Sequence, residues 1–194
     1  TMACRNPTKC EKAAKKIRED EILLQRAKID RGAIDPESAS SVTTMTVDMS
    51  SLKSVQQFCH DFLARTDDGN GSPMPLDMLF LNAGIFEVLK PDSPLTLSED
   101  GIQKTFATNV VGHHLMYRLL EPSILRSDEN RKTPARIVQT SSAASFDTQY
   151  PYKVATDLET LHNEKPIGMG PYAPSKLAQI LWAKELTAQL DANT

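Results

Sequence analysis

The segment LDMLFLNAG, residues 76–84, decides the fold class of this chain. Its mostly apolar first part, residues 76–81, is stopped by Asn-Ala-Gly, and a short apolar run that ends in turn residues is typical of a buried strand. Helical periodicity precedes this strand at residues 51–66 and follows it at residues 98–125. Strands that alternate with helices predict a parallel sheet, because each helix serves as the crossover between neighbouring strands.

Further strands and helices continue this alternation along the chain. Asn6 and Pro7 predict the start of a first helix, because Asn is a favoured N-cap and Pro is tolerated at the first helical position. The remaining predicted elements are strands at residues 1–4, 42–48 and 135–140 and helices at residues 7–29 and 171–194. We therefore expect one domain over residues 1–194, of the α/β class, with a doubly wound parallel sheet and helices on both faces.

The composition argues against several classes of protein. The net charge is −3 and the 22 Lys and Arg residues are dispersed, so nucleic acid is not expected as a partner. No segment is long and apolar enough to cross a membrane, and no signal peptide is visible. The scatter of the three cysteines, Cys4, Cys10 and Cys59, favours a reducing compartment over a disulfide framework. We interpret the four histidines as structural or surface residues and expect no metal site.

Polar and small residues follow the predicted strands. Ligands of open parallel sheets bind beyond the carboxyl ends of the strands, so these residues are candidates for ligand contact. Each also has a simpler interpretation as a turn, a helix cap or a solvated side chain, and the residues alone leave both open. The candidates are Arg5, Asp48, Asn82, Ala83, Gly84, Thr140, Ser141 and Ser142.

Tyr172 and Lys176 lie four residues apart at the start of the last predicted helix. This spacing places both side chains on one helix face. An ammonium near a phenol favours the phenolate, and such a tyrosine can transfer a proton near neutral pH. The same spacing arises by chance in about one comparable chain in four, so the pair alone does not distinguish a catalytic site from a surface face.

Asn109 lies inside a predicted helix, three residues before Gly112. Asn is unfavourable there because its side chain competes for backbone hydrogen bonds, and the nearby Gly favours a kink or a water site. Ser142 follows a strand, where its hydroxyl can hydrogen-bond a substrate carbonyl. The alternatives are an exposed surface Asn and an ordinary polar turn.

The order of these residues is more specific than any one of them. Asp48, the Asn-Ala-Gly segment, Asn109, Ser142 and the Tyr172 and Lys176 pair follow one another like the landmarks of the short-chain dehydrogenase/reductase family, which the whole chain resembles. The resemblance to the branch of retinol dehydrogenases and WW-domain oxidoreductases rests on the segments MACRNPTKCEKA, LFLNAGIF, TNVVGHHLM, RIVQTSSAAS and YAPSKLAQILWAKEL. It implies a partial NAD(P)-binding domain of the Rossmann-like type.

The resemblance also implies catalytic roles. Tyr172 would donate or accept the proton of the substrate oxygen, and Lys176 would favour the phenolate of Tyr172 and hold the nicotinamide ribose. Ser142 would orient the substrate carbonyl or hydroxyl. Asn109 would hold a water of the proton relay at a helix kink.

The implied cofactor contacts lie at the strand ends. Asp48 would contact adenine, and Arg5 would favour NADP(H) over NAD(H) by pairing with the 2′-phosphate. Asn82, Ala83 and Gly84 would line the cofactor channel, and Tyr172 and Lys176 would contact its nicotinamide half.

Two departures from the family pattern are visible. None of the eight glycines forms the TGxxxGxG turn that binds a pyrophosphate at a helix N-terminus, so we expect the first strand with this turn, and the C-terminal strands, to be missing. Ser142 and Tyr172 are 30 positions apart, more than in compact members of the family. We expect the additional residues, including Tyr150 and Tyr152, to form a loop beside the substrate site.

The implied activity is NADP(H)-dependent hydride transfer between nicotinamide and an apolar alcohol or carbonyl, such as a retinoid, a steroid or another lipid. The expected location is the cytoplasm or the cytosolic face of an internal membrane, with a homo-oligomer as a further expectation and any membrane anchor outside this chain. The alternative is a truncated or degenerate relative that serves as a non-catalytic binding or scaffold module. The missing glycine turn motivates this alternative, and the retained Asn, Ser, Tyr and Lys set argues against it.

Overall fold

The computed structural model describes residues 1–19, 42–65, 75–87, 94–130, 134–146, 157–163 and 170–191. The chain divides into two compact units, residues 1–48 and 49–194. The predicted end of the first helix at residues 20–29 lies outside the described residues, as do Tyr150 and Tyr152 of the predicted loop.

The first unit contains two parallel strands and a helix. Strand β1 (Met2–Cys4) pairs with β2 (Thr44–Thr46), and helix α1 (Pro7–Glu19) lies between them in the chain. Asn6 caps this helix as predicted, since its Oδ1 accepts a hydrogen bond from the backbone N–H three residues later at 2.9 Å. The second strand is shorter than the predicted residues 42–48, because it pairs only along the three residues of β1.

Cys4 and Cys10 form a disulfide in this unit, although the sequence favoured free thiols. The difference has a geometric cause. Cys4 ends β1 and Cys10 lies near the start of α1, so the sharp turn from strand to helix brings their Cα atoms to 5.6 Å. That separation lies in the usual range for a disulfide. Cys59 of the second unit is a buried free thiol, and burial raises its pKa to about 12.

The second unit contains two more parallel strands and most of the helices. In chain order its elements are α2 (Leu52–Arg65), β3 (Met78–Leu81), α3 (Lys104–Phe106), a π-helical segment (Ala107–Val111), α4 (Gly112–Asn130), β4 (Arg136–Gln139), a 3₁₀ turn (Ala143–Phe146), α5 (Leu158–Asn163) and α6 (Tyr172–Asp191). The predicted strands and helices of this unit are present, and the largest difference lies at the start of the long helix.

The α/β class with parallel strands is confirmed. β3 and β4 pair in parallel register, with Met78 opposite Arg136 and Leu81 opposite Gln139. Among the described residues the strands form two two-stranded sheets, β1 with β2 and β3 with β4, where the sequence predicted one larger sheet. Because β3 and β4 end side by side, the residues that follow Leu81 and Gln139 emerge at the same edge.

Helix α4 contacts several elements of the second unit. Helix α2 packs against it, and Val55 of α2 and Leu120 of α4 are among the buried side chains. Helix α6 reaches α4 through Trp182, whose ring meets that of Tyr117 edge to face at 5.8 Å between centroids. Burial of such apolar surface stabilises the fold by about 25 cal/mol per Å².

The long helix begins later than predicted. Ser98 does not start it, because the Ser98 hydroxyl accepts two backbone N–H groups that follow and closes a turn. Gly101 completes this turn with a φ of 73°, a conformation that favours glycine. The helical region starts at Lys104, and the buried Gln103 is its N-cap, with Oε1 accepting a backbone N–H of the first turn at 2.8 Å.

The helix changes its geometry at the position where the sequence suggested a kink. Residues Ala107–Val111 form a π-helical turn, in which the Gly112 N–H donates to the Ala107 carbonyl five residues earlier. A glycine is required here because a Cβ at Gly112 would lie 2.2 Å from the Met49 carbonyl oxygen. Gly112 thus permits the close approach of this helix to the backbone at Met49.

Candidate active site

Tyr172 and Lys176 lie one turn apart at the amino end of α6. Lys176 is buried, with 3% of its surface exposed, and its Nζ donates a hydrogen bond to the Thr140 carbonyl at 2.9 Å. The same ammonium lies 5.5 Å from the centre of the Tyr172 ring. Phe86 packs edge-on against this ring at 4.9 Å between centroids, so the tyrosine ring contacts both an aromatic side chain and a cation.

The burial of Lys176 has an electrostatic consequence. It lowers the pKa of the lysine, because a low-dielectric interior disfavours the ammonium form. The hydrogen bond to the Thr140 carbonyl offsets part of that cost. The buried cation therefore lies close to the aromatic ring of Tyr172.

Asn109 is fully buried at the centre of the π-helical segment. Its Oδ1 accepts the Ile85 N–H at 2.9 Å, and its Nδ2 donates to the Ile85 carbonyl at 3.1 Å and to Ser175 Oγ at 2.9 Å. The side chain therefore joins the segment after β3 to α6. This burial excludes the alternative of an exposed surface Asn.

Two residues of this network were not predicted from the sequence. Ser175 accepts from Asn109 and donates its own hydroxyl proton to the Tyr172 carbonyl at 2.6 Å. Gln179 donates from Nε2 to the Asn109 carbonyl at 2.7 Å. Ser175 and Gln179 lie three and seven residues after Tyr172, which is the spacing of one helix face, and polar residues at that spacing could have indicated them.

The residues that follow β3 and β4 meet at the carboxyl edge of their sheet, as predicted from the parallel pairing. Thr140 Oγ1 donates to Asn82 Oδ1 at 2.8 Å, and Ser141 Oγ donates to the Lys176 carbonyl at 3.0 Å. Ser142 follows them, and its Oγ accepts the backbone N–H two residues later at 3.2 Å. The 3₁₀ turn that begins after Ser142 packs against α6.

Gly84 has no side chain, so its backbone is accessible beside the buried side chains of Asn109 and Lys176. A Cβ there would lie 3.4 Å from Asn109 Oδ1 and 3.6 Å from Lys176 Nζ. Asn82, Ala83 and Gly84 are exposed, so a ligand can lie directly against their backbone. The glycine edge thus leaves room for a ligand beside a buried ammonium.

Arg5 and Asp48 belong to the first unit. Arg5 is exposed directly after β1, and Asp48 is half-buried two residues after β2, so both lie at the carboxyl ends of parallel strands. Lys9 is a second exposed cation, in the first turn of α1, that the sequence reasoning did not single out. A cation near a helix N-terminus is disfavoured unless an anionic ligand binds there. The position of Lys9 could therefore have indicated a ligand contact.

The histidines of α4 have structural surroundings. His113 is buried, and burial together with the charge of Lys176 lowers its pKa to about 4. The ring of His114 meets Trp182 edge-on at 5.2 Å between centroids. Within the described ranges, no three His, Cys, Asp or Glu side chains converge closely enough to hold a metal ion. The described helices include none that is long and apolar enough to cross a bilayer.

The sequence of this chain is similar to those of several known proteins. The model of the short chain dehydrogenase family matches residues 20–155. The WW domain-containing oxidoreductase of Gallus gallus is 33% identical over 192 residues, which cover 97% of this chain and 38% of that protein. Retinol dehydrogenase 14 of Mus musculus is 32% identical over 192 residues, or 98% of this chain and 48% of that protein. The chain thus spans about half or less of the length of these relatives.

Solved structures share the fold. A protein from Mycobacterium paratuberculosis has a TM-score of 0.62 at 27% identity, covering 99% of this chain and 53% of that one. The Pseudomonas aeruginosa RhlG/NADP active-site complex has a TM-score of 0.63 at 18% identity, covering 98% of this chain and 56% of that one. The second likeness shows the fold alone.

The parallel strands, together with the likeness to solved structures, show an α/β protein of the Rossmann type. The match over residues 20–155 then gives the family: the chain belongs to the short-chain dehydrogenase/reductases. The resemblance to retinol-dehydrogenase-like members is confirmed by the chicken and mouse relatives.

Proposed function

We propose that the intact protein is an NADP(H)-dependent oxidoreductase that transfers hydride between nicotinamide and an alcohol or carbonyl substrate. The observation that carries this proposal is the buried Lys176 ammonium, 5.5 Å from the centre of the Tyr172 ring. Burial of a lysine is unfavourable for stability alone, because its charge loses hydration. A role for the lysine in the ionisation of Tyr172 accounts for this cost.

Residues of the second unit have distinct roles in the proposed reaction. A bound nicotinamide supplies or accepts the hydride. Tyr172 donates its phenolic proton to a carbonyl oxygen, or accepts the proton of an alcohol in the reverse direction. Lys176 stabilises the phenolate, and Ser142 donates a hydrogen bond that holds the substrate oxygen against Tyr172. Asn109 holds the backbone after β3 in position against α6, and the relay water expected at this residue stays a prediction.

The preference for NADP(H) rests on the first unit. Arg5 and Lys9 provide two exposed cations after β1, where NAD enzymes usually carry an acid for the ribose hydroxyls. These cations would pair with the 2′-phosphate of NADP. Asp48 would contact adenine, and Asn82, Ala83 and Gly84 would line the channel toward the nicotinamide.

An apolar substrate is proposed from the surroundings of Tyr172. Phe86, which packs against the tyrosine ring, is 50% exposed, and Phe146 in the 3₁₀ turn beside α6 is 75% exposed. The exposed Phe86 next to Tyr172, with a further exposed aromatic side chain in the turn that packs on α6, favours an apolar ligand. A retinoid, a steroid or another lipid alcohol or carbonyl has this character.

The test is oxidation of NADPH by the intact protein against a panel of retinal, steroid ketones and aliphatic aldehydes. Tyr172→Phe should lower kcat/KM by about 100-fold or more, because it removes the proton donor. Tyr117→Phe is the matched control, since the Tyr117 hydroxyl donates to Glu121 at 2.7 Å on α4 and should not affect turnover. Undiminished turnover in Tyr172→Phe would overturn the assignment.

The alternative of a non-catalytic binding or scaffold module makes a different prediction in the same experiment. It predicts no NADPH oxidation by the wild-type protein with any carbonyl of the panel, while the protein remains folded. It also predicts that Tyr172→Phe and Tyr117→Phe are indistinguishable from the wild type.

A further inference from the structure

Cys4 and Cys10 enclose a short basic segment. Between them lie residues 5–9, here called the basic turn, which leave β1 and enter α1 with two exposed cations, Arg5 and Lys9. The disulfide joins the two ends of this turn, with the Cα atoms of the cysteines 5.6 Å apart. A covalent link across five residues directly limits the conformations that their backbone can adopt.

The structure can also accommodate Cys4 and Cys10 as free thiols. Cys10 Sγ lies 3.6 Å from the Met2 carbonyl oxygen, to which a thiol can donate. The helix start does not depend on the disulfide, since the Asn6 side chain caps it and the Asn6 carbonyl accepts the Cys10 N–H at 3.0 Å. Both redox states are therefore compatible with β1 and α1.

The two sulfurs differ in their access to solvent. Cys4 is half-buried at the end of the strand, whereas Cys10 is only 1% exposed. A soluble oxidant can thus reach Cys4 first, and Cys10 can attack it from the interior. The thiolate is the attacking form in such an exchange.

We propose that Cys4 and Cys10 are a redox-active pair, a covalent modification site that closes reversibly over the basic turn. With oxidised glutathione, the deprotonated Cys4 attacks one glutathione sulfur, and the first glutathione leaves as a thiolate that takes up a proton. Cys10 then loses its proton to solvent, and its thiolate attacks the Cys4 sulfur and releases the second glutathione. Two protein thiols become one disulfide while one glutathione disulfide becomes two thiols, and a dithiol reductant reverses the exchange.

The consequence for cofactor binding rests on the proposed function of Arg5. A closed pair fixes the basic turn before the ligand arrives, so less conformational freedom is lost when a 2′-phosphate orders Arg5 and Lys9. The oxidised form should therefore bind a 2′-phosphorylated nucleotide about three- to tenfold more tightly than the reduced form. A nucleotide without the 2′-phosphate should bind the two forms equally.

The pair itself is tested by counting thiols in the intact protein. After equilibration with oxidised or reduced glutathione, the protein is unfolded and alkylated, and its mass is measured. Among the cysteines of this chain, the reduced sample should take a label on each of Cys4, Cys10 and Cys59, and the oxidised sample on Cys59 alone. Cys10→Ser should prevent closure and leave Cys4 free to form only a mixed disulfide. Full labelling of Cys4 and Cys10 after oxidation would overturn the proposal.

The effect on binding is tested with adenosine 2′,5′-bisphosphate as the probe and 5′-AMP as its partner without the 2′-phosphate. Titration of both redox forms should show tighter binding of the bisphosphate to the oxidised form, with no difference for 5′-AMP or in Cys10→Ser. If the two forms bind the bisphosphate equally, the proposal that the closed pair strengthens 2′-phosphate binding is wrong. Absence of bisphosphate binding in both forms overturns the proposed role of Arg5 in NADP recognition, and the thiol count still decides the chemistry of the pair.

Discussion

His113 occupies the interior of the second unit with 1% of its surface exposed, one helical turn after Asn109. Burial, with a further contribution from the positive charge of Lys176, lowers the pKa of His113 from 6.5 to about 4. Above pH 6.5 the ring is neutral in both the folded and the unfolded chain. Between these two pKa values only the unfolded chain takes up the proton, so the stability that this ring contributes is lost as the pH falls.

We therefore predict that His113 makes the fold sensitive to acid. Between pH 7 and about pH 4.5, the ring should account for a loss of about 2 to 3 kcal/mol in the free energy of unfolding. In His113→Asn, which cannot titrate, this part of the loss should disappear. Urea unfolding at the two pH values measures it.

The exposed His60 provides the control for this measurement. His60→Asn makes the same substitution at an exposed position and should leave the difference between the two pH values unchanged. An equal pH dependence in the wild type and in His113→Asn would show that the buried ring is not the origin of the acid sensitivity.

At the scale of single residues, spacing in the sequence predicted that Tyr172 and Lys176 share a helix face, and their order after Asp48, Asn109 and Ser142 made them candidates. The residues that support them were not predicted. Ser175 and Gln179 contact Asn109, which lies 66 and 70 positions away in the chain. The spacing could have indicated that they share a face with Tyr172, but their hydrogen bonds to Asn109 depend on how two helices pack, which a local pattern does not show.

The π-helical segment Ala107–Val111 is the element whose geometry depends most clearly on one glycine. At Gly112 a Cβ would lie 2.2 Å from the Met49 carbonyl oxygen, 3.2 Å from its carbon and 3.3 Å from the Ala107 oxygen. These are backbone atoms, so no side chain can rotate away to make room. The helix or the chain at Met49 would have to shift.

We predict that Gly112→Ala destabilises the fold. Forced displacement of packed backbone costs about 1 to 3 kcal/mol, which exceeds the gain of about 1 kcal/mol that Ala brings to a helix over Gly. Urea unfolding at neutral pH should show a lower midpoint with an unchanged slope.

Gly101→Ala separates this steric effect from backbone strain. A Cβ at Gly101 would have nothing within 4 Å, but the residue has a φ of 73°, so Ala there costs about 1 kcal/mol through conformation alone. A Gly112→Ala variant that is as stable as the wild type would mean that the close approach to Met49 is not a constraint on this helix.

At the scale of elements, the sequence could predict whether a segment is a helix or a strand, but it could not predict where every helix begins. Ser98 has the chemistry of an N-cap, and its hydroxyl does accept nearby backbone N–H groups, but in a turn. The true cap, Gln103, is buried and has a side chain that is not typical of caps. The disulfide is a similar case, because the angle between β1 and α1 decides whether Cys4 reaches Cys10.

At the scale of the whole molecule, the described strands form two parallel pairs, β1 with β2 and β3 with β4, where the sequence predicted one larger sheet. The alternation of strands and helices predicts parallel strands, but it does not specify which strands lie side by side.

We predict that the 194-residue chain alone binds NADPH weakly. Because the sequence lacks the glycine-rich turn, it lacks the backbone amides with which that turn binds the pyrophosphate. We expect a dissociation constant above about 1 mM, which corresponds to a binding free energy weaker than about 4 kcal/mol. Isothermal titration calorimetry measures this. A strand and a TGxxxGxG turn added before residue 1, taken from the corresponding segment of a relative, should strengthen binding, and tight binding by the unextended chain would contradict the prediction.

One face of the β3–β4 sheet carries exposed apolar side chains, which has a practical consequence for solubility. Met78, Phe80 and Val138 lie on that face and are 51%, 62% and 41% exposed, and Phe80 stands opposite Val138 in the register. A row of exposed apolar side chains on a two-stranded sheet is a surface on which another chain can add, through strand edges as well as side chains. For the chain produced by itself, aggregation between copies at this face, rather than unfolding, should set the highest concentration at which it stays dispersed.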